Sequence, residues 1–159
     1  MVDFQKIKPF LWFASEAEEA AIHYMKAFKD SKIISTMRNG KDGPGPEGAV
    51  LVIEFTLNGQ HFCALNGGPM FAPNESVSFA VTCEDQAEVD HIWDHFLQGG
   101  QPSACGWLKD KWGFSWQIVP KRFFELTSTS DTAATARVMT AMMQMVKFDV
   151  AKLEAAFAG

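Results

Sequence analysis

Three side chains have the types and spacing to do chemistry together: Glu54, His61 and Cys63. His61 and Cys63 are two apart in a run that alternates like a strand, so both leave the same face of a sheet. An imidazole beside a thiol is a base beside a nucleophile. Glu54 is the only carboxylate inside a strand-like interior, where it can serve as acid or base if its surroundings raise its pKa. The plainer expectation for Glu54 is a sheet edge facing water. Cys83 ends a strand just before a helix, whose dipole can lower a thiol pKa; the alternative is ordinary buried packing. Cys105 opens a tryptophan-rich segment near Lys109 and Lys111, but a thiolate there needs a base that the sequence does not identify. His91 and His95 have the four-residue spacing of a helical zinc pair. They share a face with Asp90 and Asp94, opposite Val89, Ile92 and Trp93, which reads as a solvated surface.

The elements that must position these residues follow from periodicity. Lys6 to Phe13 is an apolar strand. Ser15 and Glu18 have capping-box spacing for a helix running to about Phe28, with Ala17, Ala20, Ala21, Tyr24, Met25 and Phe28 as its stripe. Lys32 to Met37 is a strand. Asn39 to Gly48 is a loop by composition, without the spacing of a phosphate cradle. Ala49–Leu57 and Gln60–Leu65 form a hairpin across Asn58-Gly59. Ser76–Thr82 is a strand, and Asp85 to Leu97 a helix ended by Gly99-Gly100. Cys105 to Pro120 reads as a hairpin whose last strand alternates Phe114, Trp116 and Ile118 with Ser115, Gln117 and Val119. Pro120 ends that ladder, having no N–H to give. Ser130 or Asp131 caps a methionine-rich helix to about Val146, and Asp149 starts a short helix ending near Phe157. Methionine at helical spacing serves as adaptable core or as a dimer surface, and the sequence leaves both open.

The order strand, helix, strands occurs twice. An offset of 69 lays Tyr24 on Trp93 and Pro9–Phe13 on Ser78–Thr82. An offset of 54 lays Phe62 on Trp116, with His61 on Ser115 and Cys63 on Gln117. Two such βαβββ modules, about 6–68 and 76–120, each unable to bury a sheet alone, would pair in one domain over 1–159 with a helical extension at about 130–157. The expected fold is α+β: two tandem modules forming a half-open mixed barrel, with a cup between inward strand faces.

This plan resembles the vicinal oxygen chelate superfamily of glyoxalases, bleomycin-resistance proteins and extradiol dioxygenases. More narrowly, Phe10-Leu11-Trp12-Phe13, Ala17-Glu18-Glu19-Ala20, Ala64-Leu65-Asn66-Gly67-Gly68-Pro69, Cys105-Gly106-Trp107-Leu108 and Gly113 to Pro120 resemble the PhnB-like family, whose members carry a 3-demethylubiquinone 3-methyltransferase label. The likeness spans Lys6 to Phe157. It implies a divalent metal held on the first and last strand of each module, acting as Lewis acid. Carried over, those positions are Pro9 and Ser78, then Cys63 and Gln117. Proline cannot ligate, and the rest suit a hard metal poorly, so no metal is expected. No glycine-rich strand-to-helix turn offers an adenosyl-cofactor site either, and no cofactor is expected. The resemblance also implies a homodimer, and truncation at Ser128 would test whether the C-terminal helices support it.

A net charge of -5 without a basic run argues against nucleic-acid or anionic-membrane partners. No apolar run approaches the ~20 residues of a membrane span, and the N-terminus lacks a signal-peptide core. Three cysteines without C-x-x-C spacing read as reduced thiols in a cytoplasmic protein. The first expectation for function is metal-free binding of a small metabolite. Trp12, Phe62 and Trp112 would line the cup, and Asn66, Ser115 and Gln117 would orient the ligand. The second is an enzyme on a small oxygenated or aromatic metabolite, metal-dependent through unusual ligands or using His61, Cys63 and Glu54. The third is a surface function through dimerisation or a partner.

Overall fold

A computed structural model describes residues 5–159. Met1 to Phe4, part of the stretch read for a signal segment, lie outside the described residues. The chain divides into two compact units, Met1–Pro73 and Asn74–Gly159.

The first unit is β1 (Phe10–Phe13), α1 (Ala17–Ala27), β2 (Lys32–Arg38), β3 (Val50–Leu57) and β4 (Gln60–Asn66). The sheet order is β1-β4-β3-β2, with β1 parallel to β4 and the other pairs antiparallel. Asn58 and Gly59 both take positive φ, 47° and 79°, as the two-residue hairpin between β3 and β4 requires. One face of the sheet carries Leu11, Phe13, Ile53, Phe55, Phe62 and Ala64, all buried. The α1 stripe of Ala17, Ala20, Ala21 and Tyr24 is fully buried as well. Alanine at three of these positions lets the helix backbone approach the sheet closely. Each buried Phe of this face contributes about 2–3 kcal/mol of transfer free energy.

Ser15 does not cap α1. The helix starts at Ala17, and the Ala17 N–H donates to Asn66 Oδ1 on β4 at 2.8 Å. The Asn66 amide also donates from Nδ2 to the Val50 carbonyl, at 3.0 Å. A side chain distant in sequence thus does the work expected of a local capping box.

The second unit is β5 (Ser78–Cys83), α2 (Gln86–Phe96), β6 (Gln101–Pro102), β7 (Trp107–Lys109), β8 (Ser115–Pro120), α3 (Lys121–Thr127), α4 (Thr132–Met142) and α5 (Val150–Ala158). The sheet order is β5-β8-β7-β6, with β5 parallel to β8. Thus βαβββ recurs with the same parallel first-to-last pairing, as two separate four-stranded mixed sheets in an α+β fold. Trp116 stacks on Phe96 of α2 with centroids 4.4 Å apart.

The hairpin over 105–120 forms, and Asp110 organises its turn. Asp110 is buried; Oδ1 accepts from the Trp112 and Phe114 backbone, and Oδ2 accepts from Trp116 Nε1 at 2.9 Å. Helix α3 begins directly after Pro120, where the sequence reading placed no element. A proline without an N–H suits a helix start, whose first N–H groups have no intrahelical partner. The methionine-rich helix ends at Met142 rather than Val146. The methionines of this stretch divide: Met145, beyond the helix, is in the core, while Met139 and Met143 are exposed.

Candidate functional site

In the first unit, alternation sends Phe10 and Trp12, Val52 and Glu54, and Cys63 and Leu65 to the face turned away from α1. The pairing of Phe10 with Cys63, prolonged by the Cys63 N–H donating to the Pro9 carbonyl at 2.9 Å, sets Lys8 at the level of His61. Four ionisable side chains meet there. Lys8 Nζ lies 2.6 Å from Glu54 Oε1, and His61 Nδ1 lies 3.0 Å from the same oxygen. The side chains of Lys8, Glu54 and His61 are 27%, 21% and 18% exposed. Cys63 pairs with Glu54 across the ladder and is buried.

The sequence leaves Glu54 either lining a cup as an acid or base with a raised pKa or on a sheet edge facing water. β3 is instead an interior strand, between β4 and β2, and Glu54 is engaged on both sides. The Lys8 ammonium, and after it the His61 ring, holds the Glu54 carboxyl below its ordinary value, and Glu54 in turn raises the Lys8 pKa. Glu54 is therefore a carboxylate at neutral pH and can only accept. His61 Nδ1 must carry the proton in that contact, which leaves Nε2 as the basic nitrogen of the neutral ring. The Gln5 side chain fixes the strand beside it, accepting from the His61 N–H at 3.1 Å. Burial pushes the Cys63 thiol up, so it is not a ready nucleophile.

Lys8 escaped the sequence reading. Phe10-Leu11-Trp12-Phe13 is apolar at every position, so its alternation does not reveal which parity faces the helix. In the second unit Ala80 pairs with Gln117, and Ser78 with Ser115. With Cys63 set on Gln117, the residue equivalent to Ser78 is Lys8, not Pro9. The first-strand offset is 70 rather than 69, a shift of one that exchanges faces.

The other expected site residues are placed as follows. Trp12 Nε1 donates to the Gly68 carbonyl at 2.8 Å, and its ring meets Phe71 edge-on at 5.0 Å. A Cβ on Gly67 would fall 2.2 Å from the Trp12 ring, so only glycine lets the strand end close over the indole. Trp12 is thereby a fixed aromatic surface on the same face as Cys63. Phe62 lies on the opposite face, stacked with Phe55 at 5.8 Å. Asn66 has both ends of its amide engaged within the fold. In the second unit, Gln117 Nε2 donates to Ser78 Oγ at 2.8 Å. Ser115 is 2% exposed, and its Oγ has no hydrogen-bond partner. Trp112 sits in the Asp110 turn with Lys111 Nζ 4.5 Å from its ring.

Burial pushes the Cys83 thiol up to about 12, with Glu88 and Asp85 adding to the effect, so the packing alternative holds over helix-dipole activation. Among the described residues, no group of three or more His, Cys, Asp or Glu side chains is arranged to hold a metal ion. The positions that the resemblance implies for a metal hold Lys8, Ser78, Cys63 and Gln117, a poor donor set for a hard divalent ion, and the nearby carboxylate already holds the Lys8 ammonium. Neither strand-to-helix turn, Ala14-Ser15-Glu16 or Glu84-Asp85, contains the glycines of an adenosyl-cofactor cradle. No helix among the described residues is long and apolar enough to cross a membrane.

The family described as 3-demethylubiquinone-9 3-methyltransferase matches residues 5–119. A PhnB protein from Bacillus cereus carrying that label is 38% identical, with TM-score 0.66 over 73% of this chain and 99% of its own. Protein PA1353 from Pseudomonas aeruginosa shares the fold at 17% identity, with TM-score 0.62 over 74% of this chain and 98% of its own. No curated protein sequence matches. Helices α3, α4 and α5 lie beyond the family match. With the match covering both βαβββ modules, the chain belongs to the PhnB-like family described as 3-demethylubiquinone-9 3-methyltransferase.

Proposed function

We propose that the first sheet binds a small metabolite, without a metal, on the face turned away from α1. The observation that carries this reading is the Lys8 ammonium 2.6 Å from Glu54 Oε1. A fixed cation there takes the place that a divalent ion would need. Around it the face is polar at one end, with Lys8, Glu54 and His61, and apolar beyond, with Phe10, Trp12, Val52 and Leu65. An aromatic or apolar body with one oxygenated end matches that division. Trp12, held by Gly67 and Gly68, supplies a rigid platform at little entropic cost on binding.

The test is thermal unfolding after chelator treatment, with and without Mn²⁺, Fe²⁺, Co²⁺, Ni²⁺ and Zn²⁺, followed by a screen of aromatic carbonyl compounds and phenols. A ligand at 100 times its Kd stabilises by about 2.7 kcal/mol. Metals should give no shift. A ligand from the screen should bind several-fold more weakly to Trp12→Ala, given the roughly 0.5–1.5 kcal/mol of an aromatic pair. A metal shift that disappears in His61→Ala would overturn the reading.

A further inference from the structure

We propose that the same face is a metal-independent proton-transfer site. His61 Nε2 removes an acidic proton next to the carbonyl of a neutral, apolar-bodied ketone, Glu54 fixes the ring, and the Lys8 ammonium stabilises the enolate oxygen. The proposal rests on the ligand reading above. It starts from the tautomer: a carboxylate at Nδ1 leaves Nε2 basic, and that nitrogen has no protein partner among the described residues. A ring nitrogen left open while a carboxylate orients the other one is the arrangement general base catalysis needs.

Charge balance then selects the substrate class. The Lys8 and Glu54 charges cancel in their ion pair, so that pair offers no net charge with which to draw an anion. After proton removal the site holds an imidazolium beside the Glu54 carboxylate and an enolate beside the Lys8 ammonium. Both new charges meet an opposite charge already in place, which is electrostatic preorganisation for charge separation. The Lys8 ammonium does not give up its proton at neutral pH, because Glu54 raises its pKa. Cys63 takes no part, its thiol being buried.

The step balances without a co-reactant. The C–H bond breaks, its electron pair forms the C=C bond, and the carbonyl π pair moves to oxygen. The proton resides on Nε2 until it returns to carbon or is exchanged with water. His61 is the catalytic residue and Glu54 the positioning residue.

The probe is phenylacetone, a neutral ketone with an activated methylene and an aromatic body. Its deuterium exchange in D₂O is followed by proton NMR, and its binding by tryptophan fluorescence. The full chain should accelerate exchange, and His61→Gln should lose about 100-fold or more of the acceleration. Glu54→Gln should slow exchange at saturating phenylacetone while binding of the ketone stays unchanged, because the His61 ring loses the carboxylate that orients it. A purely structural role for Glu54 would weaken binding and exchange together. Lys41→Ala, in the 39–49 loop, should change nothing. Bound phenylacetone that exchanges no faster than in buffer, or equally fast in His61→Gln, overturns proton transfer and leaves the binding reading standing. No binding of phenylacetone overturns the proposal together with the binding reading for this ligand class. Unfolding midpoints of both variants separate a lost base from a lost fold.

Discussion

At the scale of single residues, the site depends on one oxygen, Glu54 Oε1, shared by Lys8 and His61. Because the Glu54 pKa is lowered in the folded state, its stabilising contribution is fully present above its unfolded value near 4.5. It is lost as pH falls through the folded value. Denaturant unfolding of the protein and of Glu54→Gln should therefore differ at pH 7 and converge only as pH falls below the lowered folded value. The thiols separate in the same way. Cys63 and Cys83 are buried with raised pKa values, and Cys105 is half-exposed. A colorimetric thiol titration of the native protein should show one fast group, Cys105, and three groups only after unfolding. Rapid labelling of Cys63 would mean that its strand opens in the native state.

At the scale of elements, two side chains tie distant segments together. Asn66 starts α1 from β4, and Asp110 closes the β7–β8 turn while holding Trp116 against α2. Asp110→Ala leaves two backbone N–H groups and an indole N–H without their acceptor. With charge-assisted hydrogen bonds worth about 1.5–3 kcal/mol each and water recovering part of the loss, we expect a cost of about 3 kcal/mol. Urea unfolding measures it, and near-ultraviolet circular dichroism should report the freed Trp116. A cost below 1 kcal/mol would show that water replaces the carboxylate. The period-2 pattern of β8 was legible in the sequence. The role of Asp110 was not, since a charged residue between two lysines reads as a solvated turn.

At the scale of the molecule, the C-terminal helices are built into the second unit. The Cys105 and Gly106 N–H groups donate to the Met145 and Val146 carbonyls, both at 2.8 Å. Gln86 at the start of α2 donates to the Phe148 carbonyl and accepts from the Val150 N–H. Gly106, at φ 80°, leaves room for the Phe148 ring, which a Cβ would approach to 2.4 Å. Ending the chain at Ser128 removes Met145, Phe148 and Leu153 from the core. At about 1.5–3 kcal/mol for each buried side chain, that is on the order of 5 kcal/mol, a large part of a typical domain's stability. Calorimetry should show the second unit unfolding at a markedly lower temperature, with Gly106→Ala shifting it in the same direction. An unchanged melting profile would mean that the extension only rests on the surface.

The sequence by itself determined the duplicated βαβββ order, the Asn58-Gly59 hairpin, the apolar stripes of both main helices and the shared face of His61 and Cys63. These are set by local periodicity and turn chemistry, which a chain displays before it folds. Only the tertiary structure decided that Lys8 stands beside them, that Glu54 lies inside the sheet and that Asn66 caps a helix forty-nine residues away. Those depend on strand register. Where every residue of β1 is apolar, the register follows from how α1 and β4 pack rather than from any pattern in the strand.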